Sequence, residues 1–411
     1  MKLPYEIFIS LRYLKTKKRY GTVSLNTFIS IAGVVIGVAT SIITLAVMTG
    51  FQGYFRDKIL SAMPHIVVME FTGTGVKDQE ALQKKVENVP HVLATTPFVY
   101  GQSMLTTQDR MQGVVVRGID PKTEAKVTDL AKNMTAGKLH DLEQGAGKLP
   151  GIIIGEDLAR KLGVSVGDTV TMVNPLGEET PLGLIPKMKK FVVTGLFDAG
   201  MYDYNITFVY IALPDAQKFF DMKGRITGIQ VRVDDVYHAD TISAAIEKAA
   251  GYPYITRNWM EQNKNFFSAL LLEKIGMSLI LFVIIIVASF NIIGTLTMIV
   301  MEKNREIAIL KSMGSSSPSI VKIFMFAGVV IGFVGTVIGV LIGYSAVTVI
   351  TKTDVITLPK DVYQVSHLPL AISGFDILFI SLTALGISFL ATLYPAWQAA
   401  KQDPVEVLRY E

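Results

Sequence analysis

Residues 25–51 read LNTFISIAGVVIGVATSIITLAVMTGF, a run without a single Asp, Glu, Lys, Arg or His. A bilayer core is crossed by about 20 predominantly apolar helical residues, so this stretch is long enough to span one. It lies inside a longer uncharged interval, Tyr20–Phe55, and three more such intervals follow at Ile275–Met301, Ile323–Thr351 and Ile377–Ala400. They predict transmembrane helices over 24–50, 275–300, 319–350 and 376–397. The overall apolar share of 50% is ordinary for a soluble protein; its distribution decides.

Charge placement orients the spans. Arg12, Lys15, Lys17, Lys18 and Arg19 precede the first run, Lys303, Arg305 and Lys311 lie between the second and third, and Lys401 and Arg409 follow the fourth. Basic residues mark cytoplasmic flanks. Residues 1–23, 301–318 and 398–411 are therefore assigned to the cytoplasm, and 51–274 and 351–375 to the far side. The first run exceeds a signal-peptide core and reads as a retained anchor. The basic cluster abuts a span, which argues against a nucleic-acid patch. Within 1–23, Ile7, Leu11 and Leu14 recur at helical spacing with Phe8 beside them: an amphipathic lead or a plain flanking helix.

The expected fold is an α-helical membrane protein with four transmembrane helices and a large α+β domain inserted between helices 1 and 2. In that domain His65–Phe71, Val92–Thr106, Gly113–Gly118, Ile226–Val233 and Tyr252–Thr256 read as strands, with Gln79–Glu87 and His238–Ala250 as helices. The flanks 57–120 and 223–265 should pair as one βαβ subdomain, leaving 121–222 as a β-rich insertion. The chain has no cysteine, and a domain of this size does not need disulfides. In the spans, Gly33 and Gly37, and Gly335, Gly339 and Gly343, have the small-residue spacing that lets helices approach closely. Ser317 before Pro318 reads as an N-cap.

Catalytic patterns are missing. Gly145-Ala146-Gly147-Lys148 resembles a phosphate-binding loop, but Leu149 replaces the hydroxyl residue and Leu142 the first glycine. The five histidines have no metal-ligand spacing. Gly101-Gln102-Ser103-Met104-Leu105 lacks the closing glycine of a nucleophile elbow. The uncharged cores of the spans offer no Asp, Glu, Lys, Arg or His to carry a coupling ion, only groups such as Thr40, Ser41, Thr44, Ser289, Asn291, Thr295 and Thr297. If the protein moves a substrate, a partner supplies the energy.

Glu302–Ser317 is where a partner could act. Ile307, Leu310 and Gly314 fall on one helical face, Glu302 and Glu306 stand four apart with Arg305 beside them, and Gly314 closes the segment. A helix this short is marginal alone, so it either docks against something or is a simple connector.

These residues carry a resemblance. Glu302, Arg305-Glu306-Ile307, Leu310 and Gly314 are similar to the coupling helix of FtsX/MacB-type ABC transporter permeases. Tyr394-Pro395-Ala396-Trp397 through Tyr410-Glu411 is similar to that superfamily's ending. Tyr5-Glu6, Leu11-Arg12-Tyr13-Leu14, Gly33, Gly37-Val38, Val47-Met48-Thr49-Gly50-Phe51, Ile59-Leu60 and Pro64-His65 resemble the lipoprotein-releasing permeases LolC and LolE. Thr49 stands where that family usually has asparagine.

The resemblance implies a MacB-like periplasmic domain and a non-catalytic subunit in a bacterial inner membrane. It implies a separate LolD-like ATPase dimer that binds ATP and magnesium, a second permease (paralogue or copy), a LolA-like periplasmic carrier, lipoprotein substrates and membrane lipids, with no nucleic acid. Glu302, Arg305, Glu306, Ile307, Leu310 and Gly314 would couple to the ATPase. Ile42, Leu45, Met48 and Phe51 would line a lipoprotein cavity; from the residues alone they are equally an ordinary lipid-facing surface. The Pro/Gly-rich stretch 174–190 resembles the carrier-capturing hook, with Pro181, Leu182, Gly183, Leu184, Ile185, Pro186 and Met188 as the contacting residues; from the residues alone it is a long hairpin tip. The competing reading is an FtsX/MacB-like mechanotransmission or efflux permease. MacB carries its ATPase in the same chain, for which 1–23 leaves no room, and FtsX proteins usually have a smaller exported domain.

Overall fold

A computed structural model describes residues 4–14, 21–144, 149–180, 183–353, 358–359, 363, 365 and 367–403. The phosphate-loop lookalike at 145–148, Pro181, Leu182 and the tail 404–411 lie outside them. In chain order, α1 (Tyr5–Leu14) and α2 (Gly21–Ala62) precede β1 (Ile66–Glu70), α3 (Gln79–Glu87), β2 (Val92–Thr106) and β3 (Met111–Ile119). Next come α4 (Pro121–Val127), β4 (Met134–Ala136), α5 (Asp141–Gln144), β5 (Gly151–Gly155), α6 (Glu156–Leu162), β6 (Thr169–Thr180) and β7 (Gly183–Phe197). Then follow α7 (Tyr202–Thr207), β8 (Phe208–Ala212), α8 (Leu213–Phe219), β9 (Gly228–Val233), α9 (Ala239–Ala250), β10 (Tyr254–Asn258) and α10 (Trp259–Gln262). The chain continues through α11 (Lys264–Glu302), α12 (Asn304–Ser312), α13 (Ser317–Thr353) and α14 (Gly374–Lys401). Two compact units result, one drawn from 1–53, 269–356 and 368–411, the other from 54–268 and 357–367.

The first unit is a helix bundle. Among the described residues α2, α11, α13 and α14 are long and apolar enough to cross a membrane. Hydrophobicity cannot hold helices together in lipid, so close packing must. A Cβ on Gly335, Gly339 or Gly343 of α13 would stand 2.7, 2.8 or 3.1 Å from the Cβ of Val34, Val38 or Ile42 of α2. The same helix uses Gly328 and Gly332 against Thr392 and Ser388 of α14. Gly37 faces Ile284 and Ala288 of α11. A polar seam joins α2 to α11: the Ser30 and Thr295 hydroxyls are 2.6 Å apart, and Thr295 donates to the Asn26 carbonyl at 3.2 Å. At the other end Thr49 donates to Asp376 at 3.0 Å. The chain at Pro369 lies so close to Gly50 that any side chain there would collide with its carbonyl oxygen.

Three boundaries differ from expectation. Helix α2 runs to Ala62 rather than 50, because no breaker precedes Pro64 and Phe55, Ile59 and Ala62 are buried by the exported domain. Helix α11 begins at Lys264, where Phe266 packs edge-on to Phe55 at 5.2 Å. The residue whose carbonyl starts α13 is Ser316, one before the expected cap. In α1 the inner face is Ser10 and Tyr13, with Tyr13 against Phe324 of α13. Tyr5, Phe8 and Leu11 point outward.

The second unit corrects the flank-plus-insertion reading. Strands β10, β1, β9 and β2 are neighbours, as the flanks predict. But β2 continues into the middle region: it pairs with β3, β3 with β8, β8 with β5, β5 with β7, β7 with β6, and β6 returns to β2. The ring closes around Leu105, Val116, Ile152, Ile154, Met172, Phe191, Val209 and Ile211, all buried. Closure removes the exposed edges that a separate β-rich insertion would leave. Flank and middle therefore share one continuous sheet.

Candidate functional site

Helix α12 is seated on its own chain. Its N-terminal turn is set by Lys303, whose ammonium pairs with Glu306 at 2.5 Å and lies 5.5 Å over the Tyr13 ring. Burial and the adjacent Glu306 carboxylate push the Tyr13 phenol well above its usual range, so it stays neutral. The C-terminus is a Schellman motif: Ser315 N–H donates to Leu310 C=O, Gly314 N–H to Lys311 C=O, and Gly314 takes φ +98°. Lys311 reaches the last carbonyls of α14, donating to Ala400 at 2.6 Å and Gln402 at 2.7 Å. Gln402 also bonds to Asn304.

This seating divides the expected coupling residues. Ile307 and Ala308 are fully buried in the bundle core and Leu310 packs against it. The apolar face is thus spent internally, because a short helix needs that burial to persist. Glu302, Arg305, Glu306 and Gly314 are exposed, joined by Ile309 and by Met313 at 80% exposure. Ile309 and Met313 carried no distinguishing signal in the sequence; their i, i+4 spacing places them on the outward face once Ile307 turns inward.

The expected loop at 174–190 is a hairpin. Strands β6 and β7 pair from Thr169↔Val192 to Thr180↔Gly183, with a register shift between Asn174 and Glu178. Backbone pairing tolerates the prolines because Pro175 and Pro186 fall at that irregularity. Gly177 is required there: a Cβ would meet the Ile185 carbonyl oxygen at 1.9 Å. Ile185 is 55% exposed and Met188 66% exposed, and Pro186 is also exposed. Gly183 and Leu184 are placed by backbone pairing with Thr180 and Glu179. At the base, Lys189 pairs with Asp215 at 2.8 Å and Lys187 donates to the Lys218 carbonyl at 2.9 Å.

The four expected cavity residues separate. Ile42 and Leu45 are buried in the bundle, Ile42 directly against Gly343. They pack in the core of this chain, where the glycine face of α13 meets that side of α2. Met48 and Phe51 are half-buried. No group of three or more potential metal-binding side chains occurs among the described residues.

Comparison with known proteins gives a consistent pattern. A MacB-like periplasmic core domain model matches residues 27–249, and an FtsX-like permease C-terminal model matches 278–404. The chain is 37% identical to the lipoprotein-releasing system transmembrane protein LolC of Neisseria meningitidis serogroup B, covering 99% of both chains. It is 36% identical to LolC of Xylella fastidiosa, again over 99% of both. It is 28% identical to the transmembrane protein LolE of Haemophilus influenzae over 99% of both.

Proposed function

Because the chain belongs to the LolC/LolE family of FtsX-like permeases, we propose that it is a transmembrane subunit of a lipoprotein-releasing ABC transporter. It draws outer-membrane-destined lipoproteins out of the bacterial inner membrane and passes them to a periplasmic carrier. The observation that carries this reading is the end-to-end likeness to LolC proteins, at 37% identity over 99% of both chains.

The chemistry is one of work rather than bond making. Each acyl CH₂ favours lipid by about 0.8 kcal/mol, so withdrawing several chains needs an external source. The uncharged stretches of the spans, Tyr20–Phe55, Ile275–Met301, Ile323–Thr351 and Ile377–Ala400, carry no Asp, Glu, Lys, Arg or His that could couple an ion gradient. A separate ATPase dimer, binding ATP and magnesium, supplies the work. Its docking surface on this chain is the outward row of α12: Glu302, Arg305, Glu306, Ile309 and Met313. A second permease subunit completes the membrane part. The β6–β7 hairpin captures the carrier through Ile185, Pro186 and Met188, whose exposure fits a surface that a partner covers.

Depleting the protein from cells tests the reading. Outer-membrane lipoproteins should accumulate in the inner membrane and a stand-alone ABC ATPase should co-purify with the tagged protein. Normal lipoprotein sorting after depletion would refute it, and a block in cell division instead would favour the mechanotransmission role.

A further inference from the structure

Strand β7 runs without a break from the hairpin tip to Phe197. The residues that follow it, 198–205, grip the final turns of α2. Tyr54 OH donates to the Gly200 carbonyl at 2.8 Å, and the Lys58 side chain lies against Gly200 so closely that a Cβ there would stand 2.6 Å from its Cε. Gly200 takes φ +75°, a left-handed conformation that favours glycine. One turn further on, Tyr204 OH donates to Met63 Sδ at 2.7 Å, and Asp129 N–H donates to the Ser61 carbonyl at 3.1 Å.

The grip is itself held from inside. Asn205, 2% exposed, accepts from Ala199 N–H at 2.9 Å and donates to Asp157 at 2.9 Å and Asp198 at 2.8 Å. Asp198 also accepts from Gly200 N–H at 2.7 Å. Gly155, at the end of β5, leaves room for the Asn205 backbone: a Cβ would meet its carbonyl oxygen at 2.0 Å. Since Gly155 pairs with Phe197, one asparagine ties β5, the end of β7 and the α2 grip into a single node.

We propose that Tyr54 and Asn205 are positioning residues that fix the carrier-capturing hairpin to the outer end of α2, so that the hairpin follows α2 when that helix moves. The proposal rests on the lipoprotein-release reading for its readout but not for its geometry. It makes Tyr54 the joint and Asn205 the splint: losing the first uncouples the hairpin from the helix, and losing the second loosens the loop that joins them.

The chain contains no cysteine, so a label pair is unique. Spin labels at Met188→Cys and Glu80→Cys, in the intact transporter reconstituted in nanodiscs, report the hairpin against the body of the domain. The unmodified node should give one narrow distance population that shifts between nucleotide-free and ATP-bound states. Tyr54→Phe and Asn205→Ala should broaden that population and abolish the shift. In unlabelled protein both should raise the carrier concentration for half-maximal release roughly five- to tenfold, the size of one or two lost hydrogen bonds, at unchanged ATP hydrolysis; Tyr54→Phe should leave the thermal midpoint unchanged, whereas Asn205→Ala strips a buried network and should lower it. Tyr54→Phe keeps the ring and removes one hydrogen bond, so it decides the matter if Asn205→Ala fails to fold. Wild-type distances and wild-type carrier dependence in Tyr54→Phe would overturn the proposal, as would a loss in that variant accompanied by a lowered thermal midpoint. Failure of the unmodified transporter to release lipoprotein to a carrier would instead count against the function, with the distances still testing the anchoring.

Discussion

Helix α12 and the β6–β7 hairpin are both candidate contact surfaces, and they are built in opposite ways. Helix α12 hides Ile307 and Ala308 in its own bundle, is tied to α14 by Lys311, and turns charged residues with Ile309 and Met313 outward. The hairpin keeps Ile185 and Met188 exposed and ties its base down through Lys187 and Lys189. An element that must transmit force gains from being seated on the body it pushes. An element that must capture a partner keeps apolar surface unspent, because its burial then drives association.

The largest expected effect breaks the seating. Ile307→Ala should cost about 2–4 kcal/mol of local stability by leaving a cavity. Co-purification of the ATPase should fall steeply while membrane insertion and protease resistance of the exported domain stay normal; undiminished ATPase recovery would remove the distinction between the two surfaces. Next, Ile185→Asp with Met188→Asp should weaken carrier binding by roughly 2 kcal/mol or more, about thirtyfold, measured by crosslinking or titration. ATP hydrolysis should not change. Lys311→Met removes two charge-assisted bonds to the end of α14 and should lower the coupling of hydrolysis to release by a smaller factor, on the order of tenfold.

The smallest effect is a control within the exported domain. Burial works against ionisation of Asp129, but its bonds to Lys132 and Arg232 outweigh that and hold its carboxyl below the usual range. A depressed folded pKa stabilises above the unfolded value, near 3.9, and the benefit is lost as pH falls through the folded value. Asp129→Asn should therefore lower the thermal midpoint at neutral pH, with the gap closing below about pH 4. Carrier capture at neutral pH should be retained, which separates loss of domain stability from loss of the hairpin surface.

Much of this plan was legible in the sequence. Uncharged runs located the four spans, and the spacing of Glu302, Glu306 and Gly314 located α12 and its C-cap. Other features escaped for physical reasons. The first span is apolar all round, so periodicity could not tell that Ile42 and Leu45 face Gly343 and the core. The first helix was expected to end with its span at 50, yet the charged Arg56, Asp57 and Lys58 end a membrane span and not a helix. The sheet ring depends on β6 returning to β2, a contact that no local pattern records. Proline and glycine made 174–190 look like a loop, when pairing absorbs them at a bulge. Asn205 gave no signal, since a polar residue in a turn is unremarkable until its burial is known.

The central claim is that lipoprotein release is powered by a docked ATPase and not by an ion gradient. Release from proteoliposomes holding the whole transporter, with carrier outside, measures this directly. The account predicts release that requires ATP and persists when a protonophore and a sodium ionophore together abolish any proton or sodium gradient. Release driven by an imposed gradient without ATP would contradict it.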